Sequence, residues 1–252
     1  MAAAPLNAEK PLGSQARMSR RVMNLAHMLT QNARRHGNRT GFVWGAKSWT
    51  WRDIDAEVSA LAAALSARGI AKGDRILVHS KNCEEMFWSM FAAFRVGAIW
   101  VPTNFRLMPD EVAYLATASG AKGFLCHGDF PDHAKAVTDA EFIWRIGEEG
   151  TFGEISVREA MAKHTGATVG NIAVEHDDPC WFFFTSGTTG RSKAAVLTHG
   201  QMAFVVTNHL ADLTPGTTER DASLVVAPLS HGAGVHQLMQ AARGVATIVL
   251  PT

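Results

Sequence analysis

The sequence predicts an α/β fold, with layered sheets of mostly parallel strands and helices on both faces. Three observations carry this. Short runs of β-branched, aliphatic and aromatic residues alternate along the chain with segments whose apolar residues recur every three or four positions. Strand–helix–strand connections of this kind favour parallel pairing through right-handed crossovers. The composition, 47 % apolar and 19 % charged over 252 residues, can bury a core in one large domain or two small ones.

Residues 1–20 carry Glu9 and Lys10 where the apolar centre of a secretory signal would stand, and are read as a disordered leader before a globular region over 21–252. "TWRDIDAEVSALAAALSARG" places Ile54, Val58, Leu61 and Leu65 on one helical face. Thr50 with Asp53 forms a capping box at its start, and Gly69 suits its end. "DRILVHS" is a buried strand. "NCEEMFWSMFAAFRVG" is a helix, with Asn82 and Glu85 as its expected cap and Met86, Phe87, Met90, Phe91 and Phe94 as its core stripe. "AIWVP" is a strand and "PDEVAYLATASG" a helix. "KGFLCH" and "EFIWRIG" are strands around a short helix from Pro131, and "VREAMAKH" is a weaker helix. "CWFFFTS", apolar throughout, is a buried strand. "AAVLTH" is the next strand, and Thr198 with Gln201 caps the helix that follows it. "SLVVAPLSH" is a strand and turn, "GVHQLMQAARG" a helix, and "ATIVLPT" a last strand. That apolar strand, with no helix after it, suggests a chain cut within a domain.

A net charge of +1 gives no field strong enough to recruit nucleic acid or an anionic membrane. The run Ala60 to Leu65 is too short to span a bilayer, so no integral membrane segment is expected. Cys83, Cys126 and Cys180 are widely spaced and odd in number, which points to the reducing cytoplasm. Cys126, His127 and His133 lack a completing ligand pair, so they are read as a surface loop and no metal site is assigned.

"TSGTTGRSKAAVLTHG", Thr185 to Gly200, carries the chemistry. The glycines Gly187 and Gly190 let backbone N–H groups approach an anion. Thr185, Ser186, Thr188 and Thr189 offer hydroxyl donors, and Lys193 a compact positive charge. The NTPase phosphate loop requires four residues between its glycines, then Gly-Lys-Ser/Thr, then a helix. Here two residues separate the glycines, Ala194 follows the lysine, and a strand pattern follows the loop. The NTPase reading therefore fails, and a strand–loop–strand that closes over a polyphosphate replaces it.

This loop resembles the signature of the adenylate-forming (AMP-binding) superfamily, Thr-Ser-Gly-Thr-Thr-Gly-x-Pro-Lys-Gly. It departs from that pattern at Ser192 and Ala194. "FRVGAIWVPTNFRLMPDEVAYLATASGAK" resembles a second block of the family, in the form found in acid–CoA ligases, and "PLSHGAGV" resembles its histidine block. The resemblance runs from Met23 to Thr252. It implies ATP- and Mg²⁺-dependent activation of a small-molecule carboxylic acid, fatty or aryl, to an acyl-adenylate and then transfer to coenzyme A. It further implies that Thr185, Ser186, Gly187, Thr188, Thr189, Gly190 and Lys193 hold the β- and γ-phosphates, and that His231 borders the acyl group and α-phosphate as the catalytic-site residue.

The family's later aromatic-Gly-x-Thr-Glu and Thr-Gly-Asp segments and its lysine-bearing C-terminal domain have no match here. "PGTTE" from Pro215 precedes the His231 block and is read as a turn. The expectation is therefore an incomplete N-terminal AMP-binding domain, inactive as a ligase on its own. Two alternatives stand beside it, a non-catalytic nucleotide- or partner-binding paralogue and an unrelated phosphate-binding α/β protein. The last would be supported by a helix directly after the loop.

Overall fold

Two sheets organise the computed structural model, which describes residues 23–148, 150–185 and 191–250. The expected leader, 1–20, and positions Ser186 to Gly190 of the loop lie outside the described residues.

The larger sheet is built from β3 (Arg75–His79), β4 (Ile99–Thr103), β5 (Gly123–His127), β6 (Phe142–Ile146), β7 (Ile155–Ser156), β8 (Pro179–Thr185) and β9 (Lys193–Thr198). Its order is β7–β6–β5–β3–β4–β8–β9, parallel throughout except for the antiparallel pair β8–β9. The smaller sheet contains the hairpin β1 (Thr40–Trp44) and β2 (Lys47–Thr50) together with β10 (Ala222–Val225) and β11 (Ala246–Val249), in the order β10–β11–β1–β2. Helices α1 (His27–Arg35), α2 (Trp51–Ala67), α3 (Glu84–Arg95), α4 (Pro109–Ser119), α5 (Pro131–Ala136), α6 (Val157–Ala162), α7 (His199–Asn208) and α8 (His236–Arg243) connect them. The expected α/β class with a mostly parallel sheet is the fold observed.

Local chemistry explains most helix starts. Thr50 accepts from the Asp53 N–H while the Asp53 carboxylate accepts from the Thr50 N–H at 2.9 Å, closing the predicted box on α2. Thr198 and Gln201 do the same for α7. Gly69 follows α2 at φ +82°, a backbone state that costs glycine little. A strand follows residues 186–190, so the unrelated phosphate-binding alternative lacks the support a helix there would give.

At α3 the expectation needs correction. Its cap is Cys83, whose sulfur accepts from the Met86 N–H, and Asn82 reaches elsewhere. Every residue of α3 is buried, charged ones included. Burying each large apolar side chain of the stripe contributes roughly 1.5–3 kcal/mol. Glu84 and Glu85 begin the helix, where acidic side chains favour the dipole, and both pair with Arg158 at 2.7 and 2.8 Å. Burial pushes the Glu85 carboxyl above its usual range, against the opposing Gly147 N–H bond and Arg158 charge. Arg95, 1 % exposed at the other end, is satisfied by Asp55, Ser59, Thr30 and Asn171.

Nor is Cys126 on a surface loop. It is fully buried on β5, and His133 on α5 stacks on the buried His79 ring with centroids 4.4 Å apart. Among the described residues no group of three or more His, Cys, Asp or Glu could hold a metal, and no helix is long and apolar enough to cross a membrane.

Candidate functional site

The C-terminal ends of parallel strands are where open α/β sheets leave a crevice. Here β4 and β8 end beside a cavity of about 470 Å³. Asn104, Arg106 and Leu107 after β4 form one wall, and Phe183, Phe184 and Thr185 from β8 another. Ser192, just before β9, and Pro228, Ser230 and His231 close it. Cavities of this size take small organic ligands.

Thr185 pairs in register with Lys193 across β8 and β9, so both ends of the glycine-rich loop are fixed at the cavity mouth. Lys193 itself is exposed and one residue from the cavity-lining Ser192. The exit is held from α4: the Tyr114 hydroxyl donates to the Ser192 carbonyl at 3.1 Å, and the Arg191 guanidinium lies 5.2 Å from the Tyr114 ring centroid. Nothing in the sequence near Tyr114 points to this brace, because its partner lies 78 residues away. Asn104 and Arg106 belong to the block from Phe94 to Lys122 that carries the family resemblance, which by itself gives them no role.

His231 is exposed into this region. It stands edge-on to Phe183, with ring centroids 6.4 Å apart. The turn that carries it is tightly specified. The His231 N–H donates to the Pro228 carbonyl at 2.9 Å, and the Gly234 N–H to the His231 carbonyl at 2.7 Å. A Cβ at Gly234 would lie 2.0 Å from the Leu229 oxygen, so only glycine allows the approach. His236, by contrast, starts α8 and packs edge-on against His209. "PGTTE" forms the expected turn before β10. Of the residues expected to bind phosphate, Thr185 and Lys193 are placed together, and His231 reaches the same cavity. Ser186, Gly187, Thr188, Thr189 and Gly190 fall outside the described residues.

A sequence profile of the AMP-binding enzyme family matches residues 29–252. The chain belongs to that family. As an AMP-binding enzyme chain it is 31 % identical over 217 residues to feruloyl-CoA synthase of an Amycolatopsis species, covering 85 % of this chain and 41 % of that protein. It is 28 % identical over 220 residues to crotonobetaine/carnitine–CoA ligase of Citrobacter koseri, covering 82 % of this chain and 42 % of the relative. The chain thus spans about two fifths of the length of these relatives. Among solved structures, the inhibitor-bound N-terminal domain of FACL13 from Mycobacterium tuberculosis superposes with a TM-score of 0.78 at 28 % identity, over 91 % of this chain and 57 % of that one. The anthranilate CoA ligase AuaEII, in complex with anthranoyl-AMP, has the same fold at a TM-score of 0.86 and 22 % identity, over 92 % of this chain and 46 % of that one.

Proposed function

We propose that residues 21–252 supply the N-terminal AMP-binding portion of an ATP-dependent acid–CoA ligase acting on a fatty or aryl carboxylic acid. One observation carries the reading. The Thr185–Lys193 pair anchors the hydroxyl- and glycine-rich loop at the mouth of the same cavity that His231 borders. The names of the relatives, which are CoA ligases acting on organic acids, support the reaction class.

In this reaction a carboxylate oxygen attacks the α-phosphorus of ATP, the bond to pyrophosphate breaks, and a thiol then displaces AMP from the acyl group. The chain's own contribution is electrostatic. The Lys193 charge and the Thr185 hydroxyl oppose the negative charge that grows on the departing pyrophosphate. Phe183, Phe184 and Leu107 give the acid an apolar wall. His231, which lines the cavity, is assigned to border the carboxylate and the α-phosphate. Among the described residues, the hydroxyl of Thr185 and the charge of Lys193 suit a phosphate chain, and the apolar wall suits the acid's organic part. The described residues provide no carboxylate cluster for magnesium, so no step is assigned to the metal, and coenzyme A enters as the thiol by analogy with the relatives. Buried thiols at Cys83, Cys126 and Cys180 suit a reducing cytoplasm.

The test is calorimetric titration of the chain with ATP and with inorganic pyrophosphate. Lys193→Ala removes one charge-assisted contact and should weaken both by about 10- to 100-fold. Unchanged affinities would remove Lys193 from the assigned role.

A further inference from the structure

Asn82 does not cap α3, and its side chain is engaged elsewhere. Its Nδ2 donates to the Ala227 carbonyl at 3.0 Å, and its Oδ1 accepts from the Leu229 N–H at 2.7 Å. Pro228, between them, has no N–H to offer. One side-chain amide therefore satisfies the inward-facing donor and acceptor of this stretch, as a neighbouring strand's peptide unit would.

The placement matters. Asn82 follows β3 of the seven-stranded sheet, whereas Ala227 to Leu229 follow β10 of the four-stranded sheet. The clamp thus joins the two sheets at their C-terminal ends, beside the cavity. On one side Asn82 sits between a surface ion pair and a buried helix. Lys81 pairs with Asp129 at 2.6 Å, and Cys83 opens a helix buried along its whole length. On the other side Leu229 is buried, its carbonyl rests against Gly234, and His231 is two residues on.

We propose that Asn82 is a positioning residue: it sets the 227–231 turn against the large sheet and so fixes where His231 stands at the cavity. The functional half of this inference rests on the reading of the cavity as the acyl-adenylate site. The clamp itself rests on the two hydrogen bonds alone.

The experiment uses the full 252-residue chain with two probes, benzoylsulfamoyl-adenosine as a stable acyl-adenylate analogue and inorganic pyrophosphate. Amide exchange at Leu229 is followed by NMR, with Leu77 in β3 as the internal reference. Asn82→Ala should raise Leu229 exchange about tenfold or more without moving Leu77, since two turn hydrogen bonds are lost. It should weaken the analogue about tenfold and leave pyrophosphate within about twofold, because the loop at 185–193 is anchored by β8, β9 and Tyr114. Asn82→Asp keeps the acceptor and loses the donor, so it should fall between the two. A purely structural role would weaken both probes together. Equal weakening, or unchanged exchange at Leu229, overturns the proposal. If Asn82→Ala does not fold, Asn82→Asp and the wild-type chain decide, and a Leu229 amide that exchanges at the rate of an open turn in the wild type overturns the clamp. If the wild-type chain does not bind the analogue, or His231→Ala leaves its affinity unchanged, the cavity reading and the functional half fail. The clamp then stands or falls on Leu229 exchange.

Discussion

Gly234→Ala tests how closely the His231 turn is specified. The added methyl would stand 2.0 Å from the Leu229 oxygen and 2.9 Å from its carbonyl carbon, both backbone atoms. A carbon and an oxygen in ordinary close contact are roughly 3.3 Å apart, so the turn must open by about 1.3 Å. No rotamer change can relieve this. Forcing extra volume into a packed site costs about 1–3 kcal/mol, and the same displacement carried to His231 is of the size that costs roughly a hundredfold in a positioned site. Urea denaturation of the chain should show the stability loss as a lower midpoint at unchanged slope. Titration with benzoylsulfamoyl-adenosine should show weakened binding, while pyrophosphate binding persists. A variant that unfolds and binds like the parent would refute the close approach of Gly234 to Leu229 and the specification of the turn that follows from it.

Two further outcomes follow from buried charge. Arg95→Ala leaves Asp55 facing a vacated, partly buried site and should cost about 3 kcal/mol in urea unfolding, with Arg95→Lys recovering less than half because lysine lacks the forked geometry. A cost below about 1 kcal/mol would contradict the network. Burial first, and then the neighbouring His133 and His127, push His79 down to about 3, and burial pushes His199 down to about 4 against the opposing charge of Asp178. Both are neutral in the folded chain and bind a proton on unfolding below the free imidazole value of about 6.5. Their stabilisation is therefore full above about pH 6.5 and falls as the pH drops toward 4, by about 1.4 kcal/mol per pH unit for each histidine. His79→Gln should make the fall between about pH 6 and 4.5 shallower by one such increment, and an unchanged slope would exclude His79 as a source.

The sequence by itself determined most of the strand and helix order from Thr50 onward, the capping boxes at Thr50 and Thr198, the strand on each side of the loop, and the glycine- and hydroxyl-rich composition between Thr185 and Lys193. Each is written in residues within a few positions of one another, where a period of two or of three to four, or an i to i+3 hydrogen bond, is enough. Helix α1, the β1–β2 hairpin and the two-residue strand β7 (Ile155–Ser156) escaped that reading. Helix α1 has only Leu29 and Asn32 buried, too short a stripe to mark a helix. The β1–β2 hairpin turns on Gly45 at φ +58° and buries little of its second strand. Tertiary structure alone decided the rest. Asn82 looked like a local cap because the sequence shows only its neighbours, yet its partners lie 145 and 147 residues away. The Tyr114 brace on Ser192 spans 78 residues, and Arg95 reaches Asp55 across 40. Such contacts are set by where the sheets bring distant backbone together, and a buried polar group takes whichever donor or acceptor arrives there. The sequence therefore specified the glycine- and hydroxyl-rich loop, and only the fold showed what fixes its exit and what fixes the histidine turn across from it.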